Sequence, residues 1–176
     1  MNIRLAQETD LDSILQVIET AFSDEENKVI MNLVQELHQE TTSPSIKSLV
    51  AEVDNQVIGY VSYSPIFLTS DSSICGYILA PLAVSSEHQK QSIGSNLINA
   101  GIDMLTKDGV GVLMVYGDPA YYGRFDFREE IGRSFAPPYT LQYPFGWTGM
   151  MLNGTVVPEE PIQFECVSAL SKPDLW

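Results

Sequence analysis

The chain has few cysteines, histidines and basic residues. Its 176 residues include two cysteines, two histidines and nine lysines and arginines, against 23 aspartates and glutamates, for a net charge of −14. Two distant cysteines form neither a disulfide framework nor a zinc pattern, and we predict no metal. The negative charge argues against nucleic acid or an anionic membrane as a partner, because both select clustered positive charge. The negative charge is compatible with a cationic substrate; the alternative is that it only keeps the protein soluble.

The chain also lacks the apolar segments that membranes require. No apolar run is long enough to span a bilayer, and Asp10 and Asp12 interrupt the apolar character too early for a signal peptide. We therefore expect a cytoplasmic protein with no membrane partner. Cys75 and Cys166 lie in apolar, strand-like contexts and are expected to be reduced and buried. The length fits one domain over residues 1–176.

Hydrophobic periodicity predicts strands that alternate with helices. The predicted strands are 2–6, 48–53, 57–63 with a continuation through 66–68 beyond a kink at Pro65, 78–84, 110–116, 147–153 and 163–169. The predicted helices are 11–22, 30–37, 92–106 and 119–124. Turns are expected at Asp54-Asn55 and at 69–73. The nearly continuous apolar runs at 78–84 and 110–116 indicate strands that are covered on both faces. This order predicts an α/β protein with a mixed central sheet and helices on both faces.

The most informative segment joins the strand at 78–84 to the following helix. Residues 89–95 read Gln-Lys-Gln-Ser-Ile-Gly-Ser, which is mostly small or polar and opens the helix. The N–H groups of a first helical turn have no intrahelical partner, and the helix dipole places partial positive charge there. A pyrophosphate is the natural occupant of such a site.

The loop at 89–95 and a second motif further along the chain resemble motifs of the GNAT N-acetyltransferase superfamily. The loop signature of that family, Gln/Arg-x-x-Gly-x-Gly/Ala, reads Gln89-Lys-Gln-Ser-Ile-Gly94 here and follows Pro81-Leu-Ala-Val84. Further on, Gly117-Asp-Pro-Ala-Tyr-Tyr-Gly-Arg-Phe-Asp-Phe127 is similar to a subgroup of predicted bacterial acetyltransferases with a Gly-Asp-Pro-x-Tyr-Tyr-x-Arg-Phe-Gly-Phe segment. The resemblance covers residues 1–130 well, and 131–176 form a divergent C-terminal part.

The resemblance implies a GNAT-like (acyl-CoA N-acyltransferase) fold, in which acetyl-CoA lies in a V-shaped gap between the fourth and fifth strands. The implied cofactor-binding residues are Leu82, Ala83, Val84, Gln89, Lys90, Gln91, Ser92, Ile93, Gly94 and Ser95. Main-chain groups of Leu82 and Val84 would hold the pantetheine arm, and N–H groups from Lys90 to Ser95 the pyrophosphate. Ser92 and Asp126 depart from the family pattern, because each replaces a glycine.

The implied reaction is transfer of acetyl from acetyl-CoA to the amine of an unidentified acceptor by direct attack. The amine must lose a proton, the thioester oxygen must be polarised, and the leaving thiolate must be protonated. The resemblance assigns protonation of the leaving thiolate to Tyr122 and polarisation of the thioester oxygen to the N–H of Val84. For Tyr122, as for Tyr121, the alternative role is packing alone. Glu52 is the candidate general base, although a strand glutamate between apolar neighbours is also typical of a solvent-facing position.

Other residues near the motifs have two interpretations each. His88 is expected to have a surface or phosphate-contact role, with base catalysis as the alternative. Asp118 is expected to cap the short helix that follows it, and Arg124 to pair with an acidic neighbour rather than reach the cofactor. The aromatic residues of the tail either form a wall of the acceptor pocket or belong to the core; they are Phe135, Tyr139, Tyr143, Phe145 and Trp147.

Two other functions stay open at the level of sequence. One is a catalytically weak or inactive GNAT-fold module that binds CoA or acyl-CoA, an interpretation that Ser92 and Asp126 favour. The other is a different α/β protein whose loop only mimics the motif. The oligomeric state is also open, with a homodimer as one option.

Overall fold

The computed structural model describes residues 1–69 and 74–176, so the turn predicted at 69–73 lies, apart from Thr69, outside the described residues. Within them a mixed sheet carries helices on both faces, as the sequence predicts. The strands are β1 (Asn2–Leu5), β2 (Lys47–Val53), β3 (Gln56–Leu68), β4 (Gly76–Val84), β5 (Val112–Tyr116), β6 (Phe135–Ala136), β7 (Trp147–Met151) and β8 (Ile162–Cys166). The α-helices are α1 (Leu11–Ala21), α2 (Asp24–Gln39), α3 (Ile93–Lys107), α4 (Pro119–Tyr122) and α5 (Glu129–Arg133).

The strand order is β1-β2-β3-β4-β5-β7, and β8 pairs with both β3 and β6. Neighbouring strands along this order are antiparallel except β4 and β5, which are parallel. The C-terminal residues therefore complete the same sheet, because β7 lies beside β5 and β8 beside the end of β3. None of the helices in the described part of the chain is both long and apolar enough to cross a bilayer.

Helices α1 and α2 cover one face of the sheet. The apolar stripe of α1 buries Ile14, Val17 and Ile18 against a cluster that includes Val50 and Tyr60. The start of α2 is fixed by a capping box, in which the Ser23 hydroxyl accepts from the N–H of Glu26 and the Glu26 carboxylate faces back toward Ser23. These contacts place the α1–α2 pair beside β3 and the end of β4.

Helix α3 covers the opposite face and approaches β3 very closely. A Cβ built on Gly101 would lie 2.0 Å from the Tyr63 hydroxyl oxygen, so this position accommodates only glycine. The same hydroxyl donates to the Leu97 carbonyl oxygen at 3.2 Å. Because α3 is seated directly on the sheet, its first turn is held at a fixed place beside the end of β4.

Strands β4 and β5 diverge after a short paired segment. They pair only from Gly76 to Leu79 and from Val112 to Val115. In β4 an extra residue follows at Ala80-Pro81, since Leu79 lies opposite Tyr63 while Leu82 already lies opposite Val61. Beyond this bulge, β4 continues beside β3 but no longer beside β5 in the described part of the chain. The central strands therefore form a fork that opens toward the start of α3.

Several local predictions differ from the structure. Residues 110–111 precede β5 rather than belong to it. The continuation of the strand at 57–63 through 66–68 is confirmed, since β3 runs from Gln56 to Leu68. Helix α5 is not predicted, since five residues with an internal glycine give no helical period. Both cysteines are free, as expected, but half-buried rather than buried. Burial raises the pKa of the Cys166 thiol to about 12, which keeps it protonated.

Candidate active site

A cavity of about 700 Å³, here called the cleft, opens between the end of β4 and the first turn of α3. Its lining is Leu82, Val84, His88, Gln89, Lys90, Ser92, Ile93, Gly94, Ser95, Asp118, Ala120, Tyr121 and Arg124. Eight of the ten predicted cofactor-binding residues are thus brought together. The side chain of Ala83 instead packs against the α1–α2 cluster, and that of Gln91 donates to the Glu87 carbonyl oxygen at 3.2 Å.

The loop before α3 has an unusual backbone. Lys90 and Ser92 have φ values of 60° and 62°, in the left-handed region that favours glycine. Ser92 is the N-cap residue, but its side chain makes no capping hydrogen bond. The first-turn N–H groups of α3 are therefore left for another acceptor. Turns of this kind form concave anion sites lined by amides, which suits a diphosphate.

Gly94, in the first turn of α3, lies between the end of β4 and helix α4. A Cβ built there would lie 2.7 Å from the Tyr121 hydroxyl oxygen and 3.7 Å from side-chain carbons of Leu82 and Val84. The side chain of Gln89 donates to the Val84 carbonyl oxygen at 3.2 Å, which ties the loop to the end of β4. Glycine thus keeps the passage from the loop to the fork open.

The cleft carries positive charge in an otherwise acidic chain. Arg124 does not have the acidic partner expected from the sequence among its contacts in residues 1–69 and 74–176. Its guanidinium instead lies over the Tyr121 ring, 4.5 Å from the centroid, and its Nε donates to the Tyr121 carbonyl oxygen. His88 Nδ1 lies 2.8 Å from the Ser85 hydroxyl. Lys90 and Arg124 together carry more charge than Asp118, the one carboxylate among the described residues that line the cleft, so the cleft is suited to an anion.

The two adjacent tyrosines of α4 have different positions. Tyr121 lines the cleft, whereas Tyr122 lies behind it and packs its ring against Gly117 and edge-on against Phe127. Burial, followed by the proximity of Tyr122, raises the pKa of Tyr63, and Tyr63 lies opposite Leu79, the last β4 residue paired with β5. Burial, followed by the proximity of Tyr121 and Asp118, raises the pKa of Tyr122 itself. Tyr122 is therefore protonated at neutral pH and lies near the fork.

Asp118 caps α4, as expected, because its Oδ1 accepts from the N–H of Ala120 at 2.9 Å. The segment from Asp118 to Arg124 supplies four of the residues that line the cleft. The sequence of this segment predicts a helix cap and a catalytic tyrosine. That Asp118, Tyr121 and Arg124 together form one wall of the cleft is evident only in the structure.

Glu52 is not brought to the cleft. Its carboxylate accepts hydrogen bonds from Arg4 at 2.7 and 2.9 Å, and Arg4 also binds Asp10. The Arg4 guanidinium, followed in effect by the Gln7 N–H, holds the pKa of Asp10 below its usual value. These contacts indicate a structural ion-pair network that joins β1, β2 and the start of α1. A general-base role for Glu52 stays a prediction that nothing in these contacts supports.

The aromatic residues of the tail separate into two groups. Phe135 and Trp147 are 0% and 4% exposed and belong to the core, where the Trp147 indole N–H donates to the carbonyl oxygens of Gly132 and Phe135. Tyr143 and Phe145 are 54% and 61% exposed. Tyr139 is half-buried and packs near Trp176, with ring centroids 6.2 Å apart. The second group is the most accessible of these rings to an acceptor. Among the described residues, no three His, Cys, Asp or Glu side chains are grouped so as to hold a metal ion.

Comparisons with known proteins agree with this geometry. A sequence profile described as the acetyltransferase (GNAT) domain matches residues 2–129. The uncharacterized N-acetyltransferase YhbS of Escherichia coli K12 is 30% identical over 128 residues, which are 72% of this chain and 73% of the relative. The uncharacterized N-acetyltransferase YjhQ of the same strain is 28% identical over 157 residues, 88% of this chain and 84% of the relative.

Solved structures extend the likeness to three dimensions. The structure of Escherichia coli YhbS in complex with CoA has a TM-score of 0.71 and 26% identity, and it covers 93% of this chain and 89% of that one. A GNAT family acetyltransferase from Brucella melitensis in complex with acetyl-CoA has a TM-score of 0.67 and 25% identity, with 96% of each chain covered. The fold and family expected from the sequence are thus confirmed. This chain belongs to the GNAT family of acetyltransferases.

Proposed function

We propose that the chain is an N-acetyltransferase that binds acetyl-CoA in the cleft and acetylates an amine by direct attack. The observation that carries the proposal is the β4–β5 fork, which opens onto the uncapped first turn of α3. Relatives solved with CoA and with acetyl-CoA support this choice of ligand. Within the family, the segment Gly117–Phe127 assigns the chain to the subgroup with the Gly-Asp-Pro-x-Tyr-Tyr-x-Arg-Phe motif.

The residues of the cleft fit the two ends of this cosubstrate. The N–H groups from Lys90 to Ser95, together with the charges of Lys90 and Arg124, would hold the diphosphate. Beyond the bulge, the edge of β4 that faces away from β3 has no strand beside it within residues 1–69 and 74–176. The main chain of Leu82 and Val84 would therefore bind the pantetheine amides as a neighbouring strand would. Recognition would rest mainly on the backbone.

Acetyl-CoA supplies an acetyl group that is activated as a thioester. A tyrosine hydroxyl is protonated at neutral pH, so the Tyr122 Oη would be available to protonate a leaving thiolate near the fork. The N–H of Val84 would donate toward the acyl oxygen, and the Gln89 side chain fixes the position of that residue. Glu52 takes no part in this proposal, because Arg4 holds its carboxylate.

The departures from the family pattern do not disturb the backbone. Ser92 has φ 62° and Asp126 has φ 70°, so both adopt the left-handed conformation that glycine would favour. The Asp126 carboxylate is also bound by the Nε of Arg128 at 2.9 Å. These observations favour an active enzyme over a module that only binds CoA.

Calorimetric titration with CoA, followed by a thiol-release assay with acetyl-CoA and a panel of amines, tests the proposal. Gly94→Trp should abolish CoA binding by filling the passage, while Asn99→Trp, an exposed position on the same helix, should leave it unchanged. Binding without thiol release for any amine would favour the CoA-binding module instead. Tight CoA binding by Gly94→Trp would refute the assignment of the cleft.

A further inference from the structure

A second cavity, of about 520 Å³, lies at the end of β5 and is called here the aromatic cavity. Its walls carry two carboxylates and four aromatic side chains; they are Asp118, Asp174, Tyr116, Tyr143, Phe145 and Trp176. Asp118 also lines the cleft, so this residue borders both cavities. The aromatic cavity therefore adjoins the place where the cleft reaches α4.

The wall that bears Tyr143 and Phe145 is anchored to the end of β5. The N–H of Tyr143 donates to the Tyr116 hydroxyl at 2.8 Å, and the N–H of Gly117 donates to the Gly146 carbonyl oxygen at 3.0 Å. A Cβ on Gly146 would lie 2.8 Å from the Gly117 carbonyl oxygen, so glycine permits this close approach. Two largely exposed aromatic rings are thus held in fixed positions rather than left on a free loop.

Two pairs of aromatic rings line the aromatic cavity. Tyr116 and Trp176 are parallel, with centroids 6.4 Å apart and an interplanar angle of 11°, and Tyr143 and Phe145 lie 5.9 Å apart at 59°. The faces of such rings attract cations, and the carboxylates add negative charge at the cavity wall. None of the described residues that line this cavity is basic. The cleft, in contrast, is lined by Lys90, Arg124 and His88.

We propose that the aromatic cavity binds the acceptor, and that the acceptor is an aliphatic diamine. This inference rests on the function proposed above and specifies its substrate class. One ammonium group would be bound by Asp174 and the ring faces, while the second amine would reach past Asp118 to the fork. A dication fits because the aromatic cavity has two carboxylates and no basic residue among the described residues that line it.

The reacting ammonium first releases a proton to solvent, and its lone pair then forms a C–N bond with the acetyl carbon. The C–S bond of the thioester breaks with its electron pair on sulfur. The nitrogen loses a second proton to solvent as the amide forms, and the thiolate takes up a proton from Tyr122, which solvent then reprotonates. The amide product has one positive charge fewer than the diamine, so its attraction to the aromatic cavity is weaker, which favours its release.

Amines of matched length test this inference through kcat/KM in the thiol-release assay. 1,5-Diaminopentane should exceed n-hexylamine, which lacks the second charge, and 6-aminohexanoate, which reverses it, should be the poorest. Asp174→Asn should raise KM for the diamine about three- to fivefold and leave n-hexylamine unchanged. Phe145→Leu keeps an apolar side chain but removes the ring, and should raise KM for the diamine about threefold. Glu160→Gln, an exposed carboxylate outside the cavity lining, is the matched control.

The outcomes separate this inference from the function on which it rests. Thiol release with n-hexylamine as good as with the diamine, and insensitive to Asp174→Asn, would overturn the diamine assignment but keep the acetyltransferase. Faster release with n-hexylamine would indicate an apolar monoamine instead. If no amine is acetylated, calorimetric titration with 1,5-diaminopentane in the presence of CoA still tests whether the aromatic cavity binds a diamine. Binding that weakens in Asp174→Asn would support this assignment, and absence of binding would refute it.

Discussion

Gly94→Ala separates the stability of α3 from the function of the cleft. The added methyl group would lie 2.7 Å from the Tyr121 hydroxyl oxygen and at ordinary contact distance from Leu82 and Val84. The tyrosine hydroxyl is the far end of a side chain that lines an open cavity, so a small rotation relieves the contact. Because alanine is favoured over glycine in a helix by about 0.5–1 kcal/mol, we expect the free energy of unfolding to rise slightly or stay unchanged.

The same methyl group should weaken CoA binding. It would lie between Tyr121 and the side chains of Leu82 and Val84, where we propose that a diphosphate approaches the first-turn N–H groups of α3. One hydrogen bond to a charged group is worth about 1.5–3 kcal/mol. Loss of one such contact corresponds to an increase in the Kd for CoA of about 10- to 100-fold.

Urea denaturation and calorimetric titration with CoA measure the two effects on the same preparation. Asn99→Ala is the matched control, because it also replaces a poor helix former by alanine on an exposed face of α3 outside the cleft. It should stabilise the protein by a similar amount and leave the Kd unchanged. If Gly94→Ala binds CoA within twofold of the wild-type protein, the diphosphate does not lie at this turn and the reasoning is wrong.

Three other predictions follow from individual contacts. Tyr122→Phe should lower kcat by about 100-fold and leave CoA affinity intact, since only the proton donor is removed; an unchanged kcat would exclude Tyr122 from the reaction. Ser92→Gly should raise the free energy of unfolding by about 0.5–1 kcal/mol through relief of the left-handed φ, whereas Ser92→Ala, which keeps that conformation, should give no gain in urea denaturation. Asp10→Asn should destabilise the protein by about 1–2 kcal/mol at pH 7, because Arg4 and the Gln7 N–H lose their acceptor. The pKa of Asp10 is lower in the folded protein than in the unfolded chain, where it is about 4. The contribution of Asp10 to the free energy of unfolding is therefore complete above the unfolded-state pKa and is lost as pH falls through the lower folded-state pKa. The wild-type and Asp10→Asn proteins should then converge in acid unfolding.

Residues close together in sequence were interpreted more successfully than those that meet through the fold. The loop at 89–95 and the capping role of Asp118 depend on neighbours within a few positions, and the structure places both as expected. Glu52 and Arg4 are 48 positions apart, and alternation along a strand gives no sign that they are paired. Tyr121 and Tyr122 are equivalent by composition, and only the packing of α4 against Gly117 separates the outer ring from the inner one.

The sequence by itself determined the family, the α/β order of elements and the polar loop at 89–95 that opens α3, because each depends on local periodicity or on a contiguous motif. Only the tertiary structure decided where β4 leaves β5, since that divergence arises from a bulge whose effect appears in the pairing with β3. It also brought Asp174 and Trp176 beside Tyr116 and Asp118, residues about 60 positions away. Long-range packing of this kind sets which charges face a substrate, and no pattern along the chain records it.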